Sequence, residues 1–342
     1  MVKYGIVFIF MLGWLLSGCT RREAQAPVET PAEVMPGTGE EAQETVPAEA
    51  PVDGIGSGTW QERARMLTAR SEMAAAGLAG VIYVPGGFGG EAAFEAYQPE
   101  QDAWTKLPDL PQGRHHLMAT AHGGRVYVFG GARSLINWSP NDNAWAFDPA
   151  TGEWTELAPM PEERVAGAAV SLGEYVYVVG GVGGSQALLR YDPARDSWMH
   201  LAGLAEAREH TAATALDGKL YALAGRWRGV GELTSVEVYD PETDLWSEAP
   251  SLSVARGGHA AAVLDGQIYV LGGEVLSDGR ETLDSVEIFD PVQGTWTPGP
   301  PLPTPLHGVP AVGLEDELFV LGGSGQAGGI QNEGRVFSIT GP

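Results

Sequence analysis

From residue 59 onward the chain is a succession of short apolar runs separated by polar, Gly- and Pro-containing stretches. Runs such as Val126-Tyr127-Val128-Phe129 and Ile268-Tyr269-Val270-Leu271 are continuous rather than alternating, which predicts strands covered on both faces. Small residues precede them, as in Ala212-Ala213 and Ala260-Ala261-Ala262, and suit strands crowded around an axis. Between each such pair of runs stands a two-residue turn signal, Asp217-Gly218 or Asp265-Gly266, favoured where both turn residues take positive φ. Helical periodicity is absent, so the pattern predicts an all-β chain of short antiparallel strands.

The same pattern repeats. Trp60, Trp104, Trp154, Trp198, Trp246 and Trp296 recur at intervals of 44, 50, 44, 48 and 50 residues. Paired glycines follow each one (Gly86-Gly87, Gly130-Gly131, Gly180-Gly181, Gly272-Gly273, Gly322-Gly323), with Ala224-Gly225 as the departure. A third marker is Tyr97-Gln98-Pro99, Phe147-Asp148-Pro149, Tyr191-Asp192-Pro193, Tyr239-Asp240-Pro241 and Phe289-Asp290-Pro291. Repeats of this length carrying a Gly pair and a Trp are propeller blades. Six copies resemble the Kelch family over nearly all of the folded region, and the resemblance implies a six-bladed Kelch-type β-propeller at 59–342.

Spacings orient the blades. Ten residues after each Trp stand Arg70, Arg114, Arg164, Arg208, Arg256 and Leu306, and 17 further on comes the second glycine every time. These positions are expected to open the innermost strand. With strands named A to D from the axis outward, all length variation falls between B and C, where the intervals are 10, 16, 10, 14, 16 and 14 residues. In an up-and-down blade the B–C and D–A loops emerge on one face, so the variable loops share a rim with the arginines. Variable loops on a rigid scaffold are where binding concentrates. The sixth copy ends at its C strand, Arg335 to Ile339, while Trp60 stands unpaired at the other end. Trp60-Gln61-Glu62 is therefore expected to supply the missing outer strand and close the ring.

Two roles are open for Arg70, Arg114, Arg164, Arg208 and Arg256. They either bond loop carbonyls within the scaffold or form a ring of forked donors for a carboxylate or polyol. Blade four holds the densest polar group: Arg208, Glu209 and His210, with Arg226, Trp227, Arg228 and Glu232 in its B–C loop. By residue type and region it is similar to the Arg and Glu of sialic acid mutarotases, which implies Glu209, His210 or Glu232 as acid or base in an alternative, enzymatic reading. His115, His116, His259 and His307 stand at uneven offsets (+1, +2, +3, +1) from the Arg position. A metal needs several donors to converge, so no metal and no cofactor is expected. No nucleophile-elbow sequence is present.

The ends and the charge complete the picture. Tyr4 to Leu16 is almost wholly apolar, follows Lys3, and leads to Leu16-Ser17-Gly18-Cys19. This length suits a secretory signal at 1–18 rather than a membrane span, and the last four residues resemble a lipobox, which implies lipidation of Cys19. Cys19 is the sole cysteine, so no intramolecular disulfide forms. Residues 19–58 are rich in Pro, Glu and Ala, lack aromatics and carry eight acidic side chains; they read as a disordered tether reaching on the order of 35 Å. Residues 59–342 carry 17 basic and 36 acidic side chains, a formal charge of −19. Such a surface repels nucleic acid. The expectation is an extracytoplasmic, lipid-anchored monomer that binds a protein or glycan, with a carbohydrate-active mutarotase- or isomerase-like enzyme as the alternative. Its anchor would sit in an outer membrane where the host has one, otherwise in the outer leaflet of the cytoplasmic membrane.

Overall fold

The computed structural model describes residues 58–133, 138–184 and 186–341. The signal segment, Cys19 and the tether up to residue 57 lie outside the described residues. Six four-stranded antiparallel sheets and two two-stranded hairpins make up the described region, and the one helical element among the described residues is the single 3-10 turn Pro99–Gln101. No described helix is long and apolar enough to cross a membrane.

Each sheet is one blade, ordered A-B-C-D. Blade four, for instance, runs Ala212–Leu216, Lys219–Leu223, Val236–Asp240 and Leu245–Ala249. The A strands neighbour one another around a closed circle, Ala76–Leu78 of blade one meeting both Met118–His122 of blade two and Ala311–Leu314 of blade six. Small residues permit this approach. A Cβ on Gly313 would overlap the Val263 carbonyl oxygen of the next blade. The A–B turns have the expected geometry, with Asp217 and Gly218 at φ 50° and 74°.

Six large apolar clusters, one at each junction between blades, make up most of the core, and a small seventh joins Ala132, Val165 and Ala166. Each large cluster joins the B and C strands of adjacent blades, as where Tyr83 and Phe94 meet Val126, Val128 and Phe147. Covering both faces of every B strand explains the unbroken apolar runs. Each such Val or Leu contributes about 1.5–3 kcal/mol relative to exposure.

The repeat tryptophans tie neighbouring D strands together. Nε1 of Trp104 donates to the Ala64 carbonyl (2.9 Å), Trp198 to Ala158 (2.8 Å) and Trp246 to Ala202 (2.7 Å). Trp60 obeys the same rule, donating to Pro300 of blade five at 3.1 Å. Strand Gln61–Arg63 pairs antiparallel with the C strand of blade six, Gln61 opposite Ser338 and Arg63 opposite Val336. The ring is closed by the outer strand that the spacing predicts.

One expectation needs correction. The repeat arginines do not open the A strands, which begin four to six residues later, at Ala76, Met118, Ala168, Ala212, Ala260 and Ala311. The residue after each arginine position makes an isolated bridge to the residue after the Gly pair, such as Glu209 to Arg226 and His307 to Ser324. The next residue then turns left-handed, which ends the bridge and delays the strand.

Candidate functional site

The five repeat arginines are fully buried. Arg208 donates to the Ala224 and Ser235 carbonyls (2.9 and 3.0 Å) and to the Glu237 carboxylate (2.7 Å). Arg256 repeats this with Gly272, Ser285 and Glu287, and Arg70 bonds Glu95 at 3.0 Å. Arg164 turns to Gly180 and Glu162, and Arg114 to Gln112 and Asn143. Burial, helped by Arg133, pulls the Arg114 guanidinium down to about 10. These groups bind their own blades, and a ligand on the rim meets none of them. Arg70, Arg114, Arg164, Arg208 and Arg256 thus have the scaffold partners of the first of their two readings and present no exposed donor to the rim.

Two residues beyond each arginine position a different ring forms. Glu72, His116, Ala166, His210, Gly258 and Gly308 all have φ between 48° and 63°. The amide of each donates to the carbonyl of its counterpart in the preceding blade, at 2.7–2.9 Å, and Glu72 closes the circle on Gly308. Six backbone hydrogen bonds thus run head to tail around the axis. A chamber of about 80 Å³ lies at this level, and a channel of about 400 Å³ lined by the A-strand alanines runs alongside the inner strands.

This ring brings polar side chains together at the loop-face mouth. The Glu72 carboxylate lies 3.1 Å from His116 Nε2 and 3.3 Å from His307 Nδ1. His307 Nδ1 is also 3.5 Å from Glu274, whose other oxygen accepts from Arg226 at 2.6 Å. Arg226 reaches Glu209 at 3.3 Å, and Glu209 holds His210 Nδ1. Donor atoms of Glu72, His116 and His210 all lie within 4.8 Å of one another. The Trp138 ring covers His116 and His210, with centroids at 4.4 and 5.5 Å, while staying 38 % exposed.

Mutual pairing governs the charges. Burial would raise the Glu72 carboxyl, but His116, His307 and His210 overcome it and hold Glu72 well below the usual range. Burial pushes His116 down against the pull of Glu72. His307 is raised: burial opposes its charge, but Glu72, Glu274 and the Gln326 carbonyl outweigh it. Burial likewise disfavours charge on Glu209 and Arg226, yet His210 and Arg226 lower the Glu209 carboxyl, and Glu209 and Glu274 raise Arg226. His259, at the chamber wall, is driven down to about 3 by burial, with Arg256 adding to it.

The sequence-predicted residues divide accordingly. Glu209, His210 and Arg226 join the cluster. Trp227 and Arg228 belong to the hairpin Arg226–Trp227/Gly231–Glu232 beside it. Glu232 does not face His210: its carboxylate accepts from the Leu276 and Ser277 amides (3.0 and 3.2 Å) and the Ser277 hydroxyl, docking the blade-four hairpin on the blade-five loop. Of the histidines whose uneven offsets argue against convergence, His116 and His307 enter the cluster through Glu72. Glu72, Glu274 and Trp138 were not anticipated. Glu274 occupies the register of Arg226, 18 residues after its repeat arginine, and Trp138 stands outside the sixfold Trp register.

Comparison with known proteins follows the same lines. A Kelch motif model matches residues 69–111, 113–161, 207–253 and 255–303. One F-box/kelch-repeat protein of Arabidopsis thaliana is 38 % identical over 77 residues, covering 21 % of this chain and 20 % of that protein. A second, SKIP30, is 32 % identical over 99 residues, covering 25 % and 28 %. A Kelch repeat and BTB domain-containing protein of Vaccinia virus is 34 % identical over 74 residues, covering 21 % and 13 %. The chain thus spans no more than 28 % of the length of these relatives. The solved structure of YjhT superposes with a TM-score of 0.71 at 16 % identity, covering 80 % of this chain and 96 % of that one, a likeness of fold. Motif matches over more than half of the chain, on six blades closed in a ring, make this chain a member of the Kelch-repeat family.

Proposed function

We infer that this chain is an extracytoplasmic, lipid-anchored Kelch propeller that binds a protein or glycan partner through its B–C and D–A loop face. The observation that carries this reading is the composition of that face around the axis. The variable B–C loops bring exposed Trp138, Val230 and Ile330, at 38, 63 and 53 % exposure, around an axial mouth rich in carboxylates and imidazoles. An amphipathic aromatic beside fixed polar groups is the composition of a recognition surface. The lipobox resemblance at Cys19 supports delivery outside the cytoplasm.

A pair of photo-crosslinking residues tests the face. One replaces Trp138, and the other replaces Val292, a 94 % exposed residue in the C–D turn of blade five. Crosslinks to envelope protein or peptidoglycan fragments are expected at 138 and not at 292. Equal capture at both positions, or capture at 292 alone, refutes the loop-face reading. Labelling with palmitate, lost in Cys19→Ser, checks the anchor separately.

A further inference from the structure

The axial ring points three donors at one another that no blade-building role requires. Glu72, His116 and His210 occupy the same left-handed register position in blades one, two and four. We propose that Glu72, His116 and His210 bind a single divalent transition-metal ion of the zinc class, with a coordination position left open beneath Trp138. The site opens at the same mouth as the partner surface, but its assignment rests on the donor geometry and not on that reading.

Four features carry the assignment. Zinc takes imidazole nitrogens and carboxylate oxygens at about 2.0–2.2 Å, and three protein ligands with a free fourth position is its open-site arrangement. The three donor atoms lie within 4.8 Å of one another, so side-chain rotations that draw each in by about 1 Å reach tetrahedral spacing. Their backbones are pinned by the closed ring of amide bonds, which fixes the approach before any ion arrives.

The imidazoles are also oriented from behind, as metal-bound histidines are. His210 Nδ1 is held by Glu209, itself held by Arg226, which leaves Nε2 to coordinate. His116 Nδ1 meets His115 Nδ1 at 2.8 Å, and its Nε2 faces the Glu72 carboxylate. An ion would replace that ion pair with two metal bonds. Two imidazoles and a single carboxylate suit zinc, nickel or copper far better than calcium or magnesium, which demand oxygen cages. The net negative surface raises local cation concentration.

The full chain, stripped with chelator, is titrated with Zn²⁺ alone by calorimetry and with Co²⁺ by visible absorption. One ion per chain is expected, with Kd of about 10 μM or tighter on the ordinary affinity scale. His116→Gln and His210→Gln should each weaken binding at least tenfold, and His122→Gln should not. Glu209→Gln, which touches His210 from behind, should weaken it about 10–100-fold. Zinc should raise the Tm of the parent and not of the double variant His116→Gln/His210→Gln. Binding that survives in the double variant, binding lost in Cys19→Ser, or no saturation by 100-fold excess over that Kd overturns the proposal. Should a glutamine variant fail to fold, the parent's Co²⁺ spectrum decides. Intense four- or five-coordinate bands without a thiolate transition support the site; the weak spectrum of hydrated cobalt, or a thiolate band, refutes it.

Discussion

Replacing Arg256 by leucine strands the Glu287 carboxylate, which is buried and bonded to the guanidinium at 2.8 Å. Breaking a buried pair from one side costs about 3–5 kcal/mol. The protein already contains the apolar version of this joint. At the matching positions of blade six, Leu306 replaces the arginine and Phe337 the glutamate, and both lie in one apolar cluster. The strand pairing puts Ile339, not Phe337, in the Phe289 register, which corrects the last B–C interval from 14 residues to 16. A third substitution goes with Leu306 and Phe337. Glu287 accepts from the Ser253 amide and hydroxyl at 2.7 and 2.6 Å and from the Val254 amide at 3.3 Å, and the residue at the Ser253 position in blade six is Pro303, which carries neither Ser253 donor. Arg256→Leu with Glu287→Phe should therefore still lose about 1–3 kcal/mol, because the Ser253 amide and hydroxyl and the Val254 amide all lose their acceptor. Adding Ser253→Pro should bring stability back to within about 1–2 kcal/mol of the parent, as the charges and the Ser253 donors are gone and the half-buried Val254 amide, bonded to Glu287 at 3.3 Å, remains to be satisfied. Urea denaturation at neutral pH measures each step, with unchanged m-values confirming a common native state. A triple variant no more stable than Arg256→Leu alone would refute the reasoning, and so would a single variant that loses under 1 kcal/mol.

Trp60→Ala should destabilise the propeller by about 2 kcal/mol, below the full cost of a buried Trp because the ring is half-exposed, and should match Trp104→Ala within about 1 kcal/mol. Both are half-buried and donate to the preceding blade, so urea midpoints that spare Trp60→Ala would deny that it completes blade six. Glu232→Gln probes the hairpin dock through pH. Partial burial pushes the Glu232 carboxyl up, but the Ser277 hydroxyl and the Leu276 and Ser277 amides bring it below 4.5. Its stabilisation is thus present above the unfolded value and lost as pH falls through the lower folded one. The Tm advantage of parent over variant should shrink on acidification below 4.5, whereas a gap independent of pH would refute the assignment.

Blade number and the closing strand were legible because they rest on chemistry that recurs at constant spacing. Trp60 had no C strand of its own nearby, and the last C strand had no Trp. The second residue of each C strand, Glu95, Trp145, Leu189, Glu237, Glu287 and Phe337, also foretells which arginines find a buried carboxylate. The axial cluster was harder to read. Its ring positions share a backbone angle and not a side-chain type: Glu, His, Ala, His, Gly and Gly have nothing chemical in common. Grouping histidines by identity hid that His116 and His210 hold one register with Glu72. Glu232 misled for the opposite reason. It is near Arg226 in sequence, but its pairing in a two-residue strand turns the carboxylate toward blade five.

The strand that seals blade six also sets an order in time. Arg63 and Ser338 are bonded at 2.8 Å although 275 residues separate them, so the first blade-forming segment to be made waits for the last. Bringing such distant segments together costs about 5 kcal/mol of chain entropy beyond a constant. Until Val336–Thr340 emerges, the assembly is an open washer with one bare strand edge and one unclaimed tryptophan. A chain interrupted late in synthesis therefore exposes two complementary surfaces, and the nearest match for each is another copy in the same condition. Swapped or aggregated material should accordingly gather among nearly finished chains, and not among those stopped early.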